Sequence, residues 1–109
     1  MNNTQTNTLQ NIEKGLKEKG YEYEKTEAGS GSVYIDVYIN DDFDSLVIRI
    51  ANHYDLSSEW GTPAVNCIPG GDFRDFDGKH MVCPTVTCAR DALAAFEIAK
   101  VKELEYINS

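Results

Sequence analysis

The stretch SVYIDVYINDDFDSLVIRIANH, residues 32–53, decides the fold. Val33, Ile35, Val37 and Ile39 alternate with Tyr34, Asp36 and Tyr38, and after the acidic run Asn40-Asp41-Asp42-Phe43-Asp44 the apolar Leu46, Ile48 and Ile50 fall at every second position. A period of two carried by β-branched and aromatic residues suits a half-buried pleated surface, so the stretch reads as two strands with one face each in a core. The joining segment is too long for a two-residue hairpin and too acidic for burial, which predicts a solvent-facing turn between antiparallel neighbours.

Upstream, Leu9, Ile12 and Leu16 recur at helical spacing, with Asn7 or Thr8 as cap and Gly20 where a left-handed C-terminal residue belongs. They predict a helix over 8–19, preceded by a disordered polar tail, residues 1–7. Gly15 inside that helix costs about 1 kcal/mol against Ala, so packing must hold it. Tyr21 and Tyr23, alternating with Glu22 and Glu24, predict a first strand, and Ala28-Gly29-Ser30-Gly31-Ser32 a turn. That Gly-Ser-Gly run opens a strand, so it lacks the free amides with which a helix N-terminus cradles phosphate.

Downstream, Pro63, Pro69, Gly70 and Gly71 break regular structure around a short strand at 64–68, residues 72–78 read as an exposed loop, and a strand at 80–83 is expected to stop at Pro84. Thr85 or Thr87 then caps a final helix over 88–106. Leu93, Phe96, Leu104 and Ile107 share one stripe of it, while Ile98 and Val101 make a second apolar side expected to pack on other segments. The expected architecture is a single α+β domain, residues 8–109: an antiparallel sheet of three to five strands with an N-terminal and a C-terminal helix on one face.

The 109 residues, 41% of them hydrophobic, supply the core of one domain without disulfide, metal or partner. No apolar run approaches the roughly 20 residues of a membrane span, and the first seven residues are polar and uncharged, so a cytoplasmic location is expected. Three cysteines, an odd number, fit reduced thiols better than a disulfide framework. The net charge of −8 is concentrated: residues 36–77 hold nine acids against Arg49 and Arg74, whereas both ends of the chain are nearly neutral. Such a field repels nucleic acid and anionic membrane and attracts basic surfaces.

Four constellations bear on chemistry. Cys67, His80, Cys83 and Cys88 are spaced C-x12-H-x2-C-x4-C, which would make a structural zinc site, but the C-x2-C knuckle is missing and buried thiols are the preferred reading. Cys88, beside Arg90 at a helix start, is the one cysteine set for nucleophilic catalysis with His53 or His80, yet cysteines at helix starts are common. Asp72, Asp75 and Asp77 before Gly78 lack the order and the closing glutamate of a calcium loop. The fourth is an acidic, aromatic interaction surface. Asp41, Asp42, Asp44, Asp72, Asp75 and Asp77 supply charge, and Phe43, Trp60, Phe73 and Phe76 supply anchors, for a larger partner with a basic surface. The bland alternative is acidity for solubility alone. No cofactor motif is present, and a non-enzymatic role is expected.

Ser32-Val33-Tyr34-Ile35 followed by Ile48-Arg49-Ile50-Ala51-Asn52-His53 resembles a paired-strand pattern of small phage and mobile-element proteins, in which a tyrosine-bearing strand precedes an I-R-I-S-D-H-like segment. Ala51-Asn52 stands here in place of Ser-Asp. The resemblance implies a phage accessory protein, a group that includes anti-CRISPR inhibitors of nucleic-acid-guided nucleases, and it implies no catalytic residue. The expected function is therefore an anti-CRISPR-like inhibitor that mimics nucleic acid on a host nuclease. A small zinc-stabilised module is the alternative, and a cysteine-dependent enzyme stands third.

Overall fold

The computed structural model describes residues 3–29, 31–39, 47–52, 64–69 and 82–107. Helix α1 (Asn3–Glu18) precedes strands β1 (Glu22–Glu27), β2 (Val33–Tyr38), β3 (Val47–Ala51), β4 (Ala64–Cys67) and β5 (Val82–Val86), and helix α2 (Ala89–Ile107) closes the order. The five strands form one sheet in the order β1-β2-β3-β4-β5. The domain is α+β.

α1 buries Leu9, Ile12 and Leu16, as their spacing requires. Its polar start belongs to the helix: the residues from Asn3 onward, expected as a tail, are its first turns. Gly20, at φ 79°, ends it, with the Gly20 amide donating to the Lys17 carbonyl and the Tyr21 amide to that of Leu16. That is a Schellman closure, for which glycine's left-handed conformation is needed.

β2 and β3 form the antiparallel pair expected from residues 32–53, and β1 extends it to a meander. Tyr23, Val37 and Ile48 pair across it, as do Lys25, Ile35 and Ile50. Val33, Ile35, Val37, Ile48 and Ile50 are buried, whereas Tyr34, Asp36, Tyr38 and Arg49 alternate with them on the opposite face.

The expectation of an all-antiparallel sheet fails beyond β3, because β4 runs parallel to β3 and β5 parallel to β4. Parallel neighbours need a crossover of about a dozen residues or more, and the segments before β4 and β5 are that long. β4 is buried on both faces, as parallel strands usually are. Pro84 does not stop β5. The register slips by one residue between the Val65–Cys83 and Cys67–Val86 pairs, and β5 is an edge strand, so a residue without an amide is accommodated.

α2 packs on β3, β4 and β5 and against α1. Its N-cap is Cys88, whose carbonyl accepts the Ala92 amide, rather than either threonine. Its buried stripe runs through Ala92, Ala95, Phe96 and Ala99 to Glu103, rotated from the Leu93–Leu104 side, and Ile98 and Val101 are 57% and 53% exposed. Leu93 packs toward α1, its side chain filling the space that a Cβ on Gly15 would occupy. No helix among the described residues is long and apolar enough to cross a membrane.

Candidate interaction surface

The sheet has one end at which several strand ends meet. Glu22 pairs with Tyr38, Tyr38 with Val47, Arg49 with Ala64 and Ala64 with Val82. The last residues of β2 and the first of β1, β3, β4 and β5 therefore lie together. Beside them a groove of about 610 Å³ is lined by Lys17, Tyr21, Glu22, Tyr23, Glu24 and Tyr38. Glu24 hydrogen-bonds the Tyr38 hydroxyl and holds its pKa above the ordinary 10. Three tyrosines, two glutamates and one lysine at an exposed strand start make an aromatic surface with a slight acidic excess.

Two networks tie this end of the sheet to the helices. Tyr23 Oη donates to Glu13 Oε1 at 3.2 Å and Lys25 Nζ to Glu13 Oε2 at 3.4 Å, tying β1 to α1. The Tyr21 hydroxyl donates to the Glu97 carboxylate at 3.0 Å and accepts from Lys100 Nζ at 2.6 Å, while Lys19 reaches Glu97 at 3.2 Å. The Tyr21 ring meets Phe96 edge-on at 5.0 Å. Burial pushes the Glu97 carboxyl up, but the Lys19 and Tyr21 hydrogen bonds and the charges of Lys19 and Lys100 outweigh it and hold the pKa below the ordinary 4.5. Sequence reading missed this cluster, because Tyr21 stands 76 positions from Glu97 and 79 from Lys100 and no local pattern links them.

On the face away from the helices, Arg49 donates to both Asp36 oxygens, at 2.8 and 3.3 Å, and its guanidinium lies 4.6 Å from the Tyr34 ring centre. This is a cross-strand clamp. Asn52 accepts the Val33 amide at 2.9 Å and donates to the Gly31 carbonyl at 3.0 Å, so its side chain latches the β1–β2 turn.

Asp41, Asp42, Phe43, Asp44, Trp60, Asp72, Phe73, Asp75, Phe76 and Asp77 lie outside the described residues. So do His80 and the Cys83 side chain of the candidate zinc set. Its other two members are brought together: the Cys67 thiol lies 3.9 Å from the Cys88 carbonyl oxygen, to which it donates. Cys67 is buried, and burial first, with Cys88 and Asp91 adding to it, pushes its pKa up to about 12, so it is a protonated thiol. Among the described residues no group of three His, Cys, Asp or Glu could hold a metal. No protein-family model, curated protein or solved structure matches the chain.

Proposed function

We propose that this protein is a non-enzymatic inhibitor that occupies a basic, nucleic-acid-binding surface on a larger protein, in its most concrete form a phage anti-CRISPR-like blocker of a guided nuclease in the host cytoplasm. The observation that carries the reading is the acidic composition of the three segments that join β2 to β3, β3 to β4 and β4 to β5, beside a tyrosine- and glutamate-lined groove at one end of the sheet. Residues 40–46, 53–63 and 70–81 hold eight of the eighteen acids and two of the ten bases. Two of these segments begin at the other end of the sheet, at Asn52 and Pro69, while Ile39, Val47, Ala64 and Val82, the remaining four attachment points, belong to the sheet end that carries the tyrosine- and glutamate-lined groove. Acids steer a basic partner toward that end, and aromatic side chains give it short-range affinity.

The test is capture from host lysate at low and high salt, with the captured protein then assayed for nucleic-acid binding or cleavage. The partner is expected to be basic, to be lost at high salt, to be absent with Asp72→Lys/Asp75→Lys/Asp77→Lys, and to lose nucleic-acid binding when the wild type is added. A partner retained by the reversed variant, or one that binds nucleic acid unhindered beside the wild type, would overturn the reading.

A further inference from the structure

Cys67 and Cys88 are both free thiols, and the fold treats them differently. Cys67 ends β4 fully buried, while Cys88 is half-buried at the N-cap of α2. They lie together because Cys67 pairs with Val86, two residues before Cys88, and the Ile68 amide binds the Val86 carbonyl at 2.9 Å. The Cys67 Sγ then reaches the Cys88 carbonyl oxygen at 3.9 Å. A half-buried cysteine thus stands beside a fully buried one whose thiol is held against the first one's backbone carbonyl.

We propose that Cys67 and Cys88 are a redox pair that closes to an intramolecular disulfide when the protein meets a peroxide. Cys88 takes one peroxide oxygen to become a sulfenic acid, and the other oxygen leaves as water. Cys67 sulfur then attacks the Cys88 sulfur as its thiol proton passes to the departing oxygen, which leaves as a second water. Two thiols have lost two protons and two electrons, and one peroxide has become two waters. The bridge closes a loop over residues 68–87, which contains Asp72, Phe73, Asp75, Phe76 and Asp77, and so restrains the ends of that acidic segment. The pairing itself stands whether or not the segment binds a partner.

The experiment is treatment of the fully reduced protein with hydrogen peroxide, alkylation of the remaining thiols, and non-reducing peptide mapping. Thiols should fall from three to one in a monomer, one linked peptide pair should carry Cys67 and Cys88, and dithiothreitol should restore three thiols. Cys83→Ala should keep the pair, and Cys88→Ala, at a half-buried position, should lose it while folding normally. Three surviving thiols, a bridge that contains Cys83, or cross-linked dimers would overturn the proposal.

Discussion

Gly15 shows how one residue sets the distance between two helices. As a helix-interior glycine it costs about 1 kcal/mol against alanine, yet the Leu93 methyl fills the space its side chain would take. Gly15→Ala should therefore lower stability, by up to about 1 kcal/mol, because displacing Leu93 outweighs the gain in helix propensity. In a Leu93→Ala background the same change should raise stability by about 1 kcal/mol, since only the propensity remains. Urea denaturation of the four variants checks the change of sign. Sequence could flag the glycine as a cost but could not name its neighbour, 78 positions away.

At the scale of the element, α2 carries two carboxylates whose environments push them in opposite directions. Glu97, held below the ordinary 4.5 by Lys19, Tyr21 and Lys100, stabilises the fold above that value and loses its contribution as pH falls through its lower folded pKa. Glu103 is buried at the end of the alanine stripe, its Oε2 has no hydrogen-bond partner among the described residues, and burial raises its pKa. Its charged form destabilises the fold at neutral pH, and stability recovers as pH falls through the raised folded value toward 4.5. Glu103→Gln should thus be more stable than wild type at pH 7, with the difference closing by pH 4.5. Glu97→Gln should be less stable at pH 7, with the difference closing below 4.5. Denaturation midpoints across pH 3–8 separate the two.

The helix itself was legible from residues 88–106, but its rotation was not. The buried stripe consists of three alanines, Ala92, Ala95 and Ala99, with Phe96, whereas the larger Leu93 is only partly buried. Periodicity registers which positions share a face and does not say which face a neighbour will take.

For the whole molecule, charge is the controlling quantity. At −8, self-repulsion exceeds the attraction of a few half-exposed ion pairs such as Lys19–Glu97 and Lys25–Glu13. Raising salt from about 10 mM to about 150 mM should therefore raise Tm, since the Debye length shortens from roughly 30 to 8 Å. Asp72→Lys/Asp75→Lys/Asp77→Lys, which takes the net charge to −2, should flatten that dependence. A Tm that falls with salt would place the dominant electrostatics in the ion pairs instead. The acidic excess was readable from composition, whereas the placing of four of the six attachment points of its segments at one sheet end followed only from strand order and direction.

What the sequence determined by itself is what neighbours along the chain decide. The period of two over residues 32–53 set the β2–β3 pair, the 3,4 spacing of Leu9, Ile12 and Leu16 set the inner face of α1, and Gly20 set its end, because pleat, helical turn and left-handed closure are local geometries. Only the tertiary structure decided the parallel course of β4 and β5, the rotation of α2, the Tyr21–Glu97–Lys100 cluster and the meeting of Cys67 with Cys88. Each of these depends on which distant surface is buried against which, and that choice belongs to the packed core rather than to any short stretch of chain.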